Sequence, residues 1–159
     1  MNHWHRHLGV YGICINANRQ LLCVSKTRGP YIHRYDLPGG TLEAEEISEG
    51  LKREFLEETG YRIKIRHNLG AQDFLIKMPH EGCEALHHIG LFYQVEIDEA
   101  FSQNLVKVAS DDAGDVLWLS LEELNISNAS PLVLFAKEWI LQGVRDTQTI
   151  VYEKWCVHE

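Results

Sequence analysis

The segment from Gly39 to Tyr61, GGTLEAEEISEGLKREFLEETGY, constrains this chain more than any other stretch. Its spacing predicts one helix from about Glu45 to Thr59. Gly60 stops it, because glycine takes the left-handed conformation at a helix end without a Cβ clash. Ile47, Leu51 and Phe55 make an apolar stripe. Glu54, Glu57 and Glu58 lie three and four positions apart and crowd an overlapping stripe about 100° wide. The carboxylates therefore sit at the edge of a buried face, not on the solvated side.

That placement is unfavourable by itself. Like charges at these offsets cost a few tenths of a kcal/mol per pair. The last turns also carry the negative end of the helix dipole, which adds about 0.3 to 1 kcal/mol for each carboxylate. A helix shaped by stability alone would carry lysine there. A hard divalent cation relieves both penalties, and carboxylate oxygens are its preferred ligands. Pro38-Gly39-Gly40, just ahead of the helix, allows close backbone approach to a ligand and offers a carbonyl oxygen to a metal. A solvated acidic face and an ordinary turn are the bland alternative. They explain the two features separately but not their juxtaposition.

The rest of the chain reads mostly as strands. Leu8 to Asn16 is a strand, Asn16 to Arg19 its turn, and Gln20 to Ser25 the returning strand of a hairpin. Lys26 to Asp36, with Gly29-Pro30, reads as an exposed loop. Tyr61 to Arg66 and Leu69 to Ile76 resume β character. Leu86 to Ile97 is the clearest strand, with Ile89, Leu91, Tyr93, Val95 and Ile97 alternating onto one buried face. Ala100 to Gly114 reads as loop and Val116 to Leu119 as a short strand. Ser120 to Glu123 fits a capping box opening a helical turn. Ser130-Pro131 starts a second helix that runs to about Gln142, before Gly143. Thr147 to Val157 reads as a last strand with apolar groups on both faces, which suits burial in the sheet or a homodimer contact. Strands around two helices indicate an α+β or α/β sandwich.

Composition excludes several classes. At 159 residues, with 45% hydrophobic and 24% charged, the chain is expected to form one globular domain over residues 1–159. No run approaches the roughly 18 to 20 apolar residues of a membrane span, and the His-rich start has no signal-peptide core behind it. Cys14, Cys23, Cys83 and Cys156 are scattered, without zinc-site or disulfide-framework spacing, which suits the reducing cytoplasm. A net charge of −8 without a basic patch argues against a nucleic-acid polymer as partner. A phosphate-bearing ligand would have to arrive with a cation.

The same 23 residues resemble the Nudix box, G-x5-E-x7-R-E-u-x-E-E-x-G-u with u apolar. Gly39, Glu45, Arg53, Glu54, Phe55, Glu57, Glu58, Gly60 and Tyr61 satisfy it. Trp118 to Leu124, WLSLEEL, is similar to the family's segment of a tryptophan followed by an E-L pair. The chain is thus identified with the Nudix hydrolase superfamily, the MutT-like pyrophosphohydrolases. The resemblance implies the Nudix α+β fold, an α/β/α sandwich whose mixed β-sheet packs between helices. It also implies hydrolysis of a nucleoside diphosphate linked to another moiety: a nucleoside triphosphate, ADP-ribose or nucleotide sugar. The implied cofactor is Mg²⁺, with Mn²⁺ as the alternative ion.

Carried over by position, Glu54, Glu57 and Glu58 resemble the metal ligands, with Gly39 adding a backbone oxygen. Arg53 resembles the arginine that orients a glutamate, and Glu45 the residue that braces the loop. The count works only from the first glycine of the pair, one residue shorter than usual before Ile47. Glu46 therefore competes with Glu45 for the bracing role. The general base varies within the family; Glu57 and Glu54 are candidates in the box, and Asp111, Asp112 and Asp115 outside it, Asp112 being favoured. Lys26 and Arg28 are candidates for phosphate oxygens, Gly40 for close substrate approach and Tyr35 for base stacking. Tyr31, His33, Phe74 and Tyr93 are further aromatic candidates. Of His87 and His88, alternation sends one inward. Two other readings remain: a Nudix domain that senses a nucleotide without turnover, and an isoprenoid-diphosphate isomerase of the same fold using a cysteine such as Cys83.

Overall fold

β1 and β2 leave a shared turn and enter different sheets. The computed structural model describes residues 2–80, 82–100, 113–143 and 147–158. Its elements are β1 (Trp4–Cys14), β2 (Gln20–Lys26), β3 (Tyr35–Asp36), β4 (Gly39–Thr41), α1 (Ile47–Thr59) and β5 (Ile63–His80). Then follow β6 (Cys83–Ile97), β7 (Ala113–Ser120), a 3-10 turn (Leu121–Glu123), α2 (Pro131–Gln142) and β8 (Ile150–Tyr152). The turn forms as expected: the Asn16 side chain accepts from the amides of Asn18 and Gln20 at 3.0 and 2.9 Å. Beyond it β1 and β2 share one bridge, Ile15 with Leu21, among the described residues. The expected hairpin is thereby corrected. β1 finds a longer partner in β6, parallel from Trp4–Ala85 to Cys14–Val95. β2 pairs with β7 and β3.

The larger sheet has the order β4-β1-β6-β5-β8, and the smaller has the order β3-β2-β7. The larger is mixed, with β1–β6 and β5–β8 parallel and β1–β4 and β5–β6 antiparallel. The two helices cover opposite sides. Leu51 and Phe55 of α1 pack with Val10, Cys14, Leu22, Ile63 and Val95. Leu132, Val133, Phe135 and Ala136 of α2 pack with Ile13, Leu21, Phe74 and Phe92. This is the expected α/β/α sandwich. Gly12 lets the helix come close, since a Cβ there would lie 2.8 Å from the Phe55 ring. Burying a ring such as Phe55 contributes about 1.5 to 3 kcal/mol.

Both helices stop where their sequences predict, and α2 also starts there, while α1 begins at Ile47, two residues after the expected Glu45. Ser130 Oγ accepts from the Val133 amide at 3.2 Å, Pro131 opens α2, and Gly143 closes it at φ 70°. At the 3-10 turn, Ser120 Oγ donates to the Glu123 carboxylate at 2.9 Å and caps no backbone amide, so the two residues pair side chain to side chain in place of the expected capping box.

Other elements differ from expectation. The two strands read at Tyr61–Arg66 and Leu69–Ile76 are one long bulged strand, β5, because β6 pairs with its whole length. β6 is covered on both faces: Leu86, His88 and Phe92 are buried on one, and on the expected face Val95 is buried while Ile89, Leu91, Tyr93 and Ile97 are half-buried. A central strand between two helices has no solvent face. The stretch read as an exposed loop buries Tyr31, Arg34 and Asp36, and its end pairs with β2. The last strand shrinks to three residues, after which the Trp155 indole N–H donates to the Pro30 carbonyl at 3.0 Å. Most of the loop at 100–114 lies outside the described residues. Among those described, no helix is long and apolar enough to cross a membrane. The four cysteines are free.

Candidate active site

Gly60, at φ 78°, caps α1 by donating its amide to the Leu56 carbonyl, and this fixes the turn that carries the glutamates. Their surroundings differ sharply. Glu58 is 3% exposed, and its Oε1 accepts from the Gly39 amide at 2.8 Å. Burial pushes its carboxyl up to about 8, opposed by the Gly39 amide and by Lys26. Glu54 is half-buried; burial raises its carboxyl and Arg53 opposes the rise. Glu57 is 41% exposed.

Arg53 gathers the cluster from outside. Its Nε donates to both Glu45 oxygens at 3.1 and 3.0 Å, and Nη2 to Glu45 Oε1 at 2.6 Å. Nη1 reaches Glu54 Oε1 at 3.0 Å and Glu57 Oε2 at 3.3 Å. The Glu45 bonds lead the causes that hold this guanidinium protonated far above its ordinary range. Charge-assisted bonds of this forked kind are among the strong ones. Glu45 is thus the partner of Arg53, while Glu46 is the N-cap residue of α1 and its side chain caps nothing.

The glycine pair is there for space. β4 runs antiparallel to β1 with Gly39 opposite Tyr11 and Gly40 opposite Val10. Gly39 has φ 149°, and a Cβ there would meet the Val10 carbonyl at 2.1 Å. A Cβ at Gly40 would lie 2.6 Å from Glu54 Oε2. The carboxylates pack directly on this backbone.

A cavity of about 850 Å³ opens beside them. Glu54, Glu58, Gly39 and Gly40 line it, and so do Lys26 at the end of β2 and Arg28 in the loop after it. Six of the expected site residues are thus brought to one cavity. Arg53, Glu45 and Glu57 stand behind it and do not line it. Tyr35 does not line it either: it packs on the α2-side core, because alternation in β3 sends Asp36 to the cavity instead. Asp112, with Asp111, lies outside the described residues. Asp115 is exposed, its amide bonded to Ser25 Oγ at 2.8 Å, away from the cavity. Of the other aromatic candidates Tyr31 lines the cavity; His33 is exposed, Phe74 is core and Tyr93 packs on the α1-side core.

Sequence reasoning missed Asp36 and Tyr11. Asp36 is buried and accepts from Ser130 Oγ at 2.6 Å and from the Leu37 amide at 2.9 Å. Burial raises its carboxyl, with Lys26 the first opposing cause. A two-residue strand carries too little periodicity to reveal which way Asp36 points. Tyr11 lies in a strand that reads as plain apolar core. His88 is the inward histidine; His87 faces outward and meets Asp73 at 2.7 Å.

Among the described residues, no three His, Cys, Asp or Glu side chains converge on one point. Glu54 leans on Arg53 and Glu58 on Gly39. The donor set still suits a hard cation: carboxylate oxygens only, one of them buried beside a second carboxylate with no cationic partner bonded to it. The fold and this cleft define an α/β/α sandwich that presents helix glutamates to a glycine strand beside basic residues. The chain belongs to the NUDIX domain family, whose model matches residues 5–142.

Known proteins agree on the fold. A NUDIX hydrolase from Nitrosomonas europaea superposes with TM-score 0.69 at 22% identity, over 89% of this chain and 92% of that one. The NUDIX domain of Shewanella oneidensis NrtR, solved as a complex with ADP ribose, superposes with TM-score 0.62 at 15% identity, over 88% of this chain and 90% of that one. In sequence, the chain is 36% identical over 63 residues to a candidate 8-oxo-dGTP diphosphatase of Bacillus subtilis (strain 168). That match spans 39% of this chain and 40% of the relative.

Proposed function

We propose that the chain is a pyrophosphohydrolase that cleaves the diphosphate linkage of a nucleoside diphosphate derivative. The observation that carries the reading is the shared cavity. Glu54 and Glu58 line it beside the Gly39–Gly40 backbone, and Lys26 and Arg28 line the same space. Glu54, Glu57 and Glu58, with the Gly39 backbone oxygen, would hold Mg²⁺, or Mn²⁺ in its place. When bound, such an ion neutralises diphosphate charge and lowers the pKa of water.

The chain's own residues do the rest. Lys26 and Arg28 bind phosphate oxygens, and the bare backbone of Gly40 lets the diphosphate come close. Arg53, braced by Glu45, positions Glu54 and Glu57. A water oxygen attacks phosphorus, the bridging P–O bond breaks, and the leaving phosphate keeps the electron pair. The proton of that water passes to a carboxylate, Asp112 or a box glutamate, Glu57 or Glu54. Residues 1–159 act as one domain in the cytoplasm. They form a homodimer through the β8 edge, where Val151 is 44% exposed. A monomeric sedimentation profile at micromolar concentration would remove the dimer.

Turnover of nucleoside triphosphates, ADP-ribose and nucleotide sugars with Mg²⁺, beside EDTA and a Glu58→Gln variant, tests the activity. Cleavage abolished by both controls is the expected result. Binding without turnover would make the chain a nucleotide sensor instead.

A further inference from the structure

Three side chains in the cavity wall are left over by the chemistry above. Tyr11, Tyr31 and His88 all line the cavity while remaining 3 to 4% exposed, so a group that reaches them has left bulk water. His88 stands between the two phenols. Its Nε2 lies 2.7 Å from the Tyr11 hydroxyl, and its Nδ1 lies 2.7 Å from the Tyr31 hydroxyl. The Tyr31 and His88 rings stack at 5.7 Å with 9° between planes. Gly9 makes room for the first contact, since a Cβ there would lie 2.4 Å from the Tyr11 hydroxyl. His7 Nε2 sits 3.5 Å from the same hydroxyl, the outer limit of a bond.

Burial holds His88 neutral, with its pKa lowered to about 3. A neutral imidazole has one N–H and one lone pair, and a phenol has one proton and two lone pairs. The two hydroxyls are therefore coupled. If Nε2 carries the proton, it donates to Tyr11, whose own proton is then available to a ligand. Tyr31 must then donate to Nδ1, and it presents only lone pairs. If Nδ1 carries the proton, the roles exchange. The wall thus offers one donor and one acceptor, and a tautomer shift swaps which is which.

We propose that Tyr11, His88 and Tyr31 form a switchable donor–acceptor relay that recognises the heteroaromatic base of the substrate. This rests on the hydrolase reading of the same cavity and deepens it by naming what holds the base. Met78, Leu86 and Pro30 line the same cavity and supply apolar cover for a flat ring. The relay accepts bases whose edges run keto–NH or amino–N, because it can reverse its own polarity. It rejects a ligand asking for two donors or two acceptors, which would leave a buried hydroxyl unpaired.

Full-length protein carrying ¹⁵N-histidine would be titrated, with Mg²⁺, with the α,β-methylene analogues of inosine and adenosine diphosphate. The edges of these two bases are reversed in hydrogen-bond polarity. The expected result is that the His88 Nδ1 and Nε2 signals move in opposite senses with the two analogues. Signals that stay still, or move alike, would overturn the relay. As a second measurement, Tyr31→Phe and Tyr11→Phe should shift the inosine-to-adenosine ratio of kcat/KM in opposite directions, each by at least about fivefold. Equal loss on both nucleotides would overturn it. Intact nucleotide turnover with unmoved His88 signals would sink the relay alone. Moving signals without turnover would sink the hydrolase reading and leave the relay as a binding site.

Discussion

Two arginines are held out of bulk water in opposite ways. Arg53 is ringed by carboxylates, Glu45, Glu54 and Glu57. Among the described residues, Arg34 has no carboxylate partner. Its Nη1 donates to the carbonyls of Ile126 and Ala129 at 2.6 and 3.2 Å, its Nη2 to that of Cys156 at 2.9 Å, and its guanidinium stands 4.2 Å over the Trp155 ring. Its Nε is the one buried side-chain polar atom left without a partner among the described residues. Electrostatics separates them accordingly: the carboxylates raise the pKa of Arg53, while burial lowers that of Arg34. One arginine holds three acids together. The other ties the loop after β2, the segment before α2 and the C-terminal tail into one knot.

The sharpest break of this comparison lies at Glu58. Glu58→Gln should lower kcat by about 10³-fold or more with Mg²⁺, while the melting temperature holds or rises because glutamine can still accept from the Gly39 amide and never carries a charge into the buried site. Paired kinetics and calorimetry would read both; a large fall in melting temperature would contradict the assignment. Next comes Arg34→Met, which leaves three carbonyls without a donor. It should cost about 3 kcal/mol in urea unfolding, with kcat/KM of the folded fraction within about threefold of the parent. Arg53→Lys should do the reverse. It keeps the charge but loses the fork, so kcat falls about 10- to 100-fold with little change in stability. A variant equal to the parent in rate would show that Arg53 is a mere surface ion pair.

His88 gives the smallest and finest test. Like Arg34 it is buried with no carboxylate bonded to it among the described residues, but unlike arginine it can shed its proton. Its folded pKa is lowered from 6.5 to about 3, so between those values the unfolded chain binds the extra proton. Its contribution is intact above pH 6.5 and is lost as pH falls toward 3. Relative to a His88→Gln variant, the parent should lose up to about 2 kcal/mol between pH 6.5 and pH 5. Parallel stability curves for the two proteins over that range would contradict the buried neutral imidazole.

The site was more legible in the sequence than the sheets around it. Helix periodicity, Gly60 and the glycine pair are local signals, and each describes contacts within a few residues or across one helix. Pairing partners are not local. Nothing in Leu8 to Asn16 says that β1 prefers β6 to β2, and nothing in the polar start Trp4–His7 advertises a strand, since its alternation is of histidines and not of aliphatics. β6 was misread for a related reason: its hidden face carries His88 and Gly90 beside Phe92, which look polar or empty in one dimension. Asp36 and Tyr35 exchanged roles because a two-residue strand gives no phase from which to infer direction. The choice between Glu45 and Glu46 needed the position of Arg53 in space.

The Asn16 turn, where β1 and β2 part company, also sets the mechanics of the cleft. Tyr11 and the glycine strand belong to one sheet and Lys26 to the other, so the cavity is lined from both sheets, and that turn is the covalent link between β1 and β2. Lengthening or shortening the turn would change the gap between acidic and basic walls without altering any residue that lines it. The bulk of ligand that this cleft admits can therefore be tested at the turn as well as in the lining.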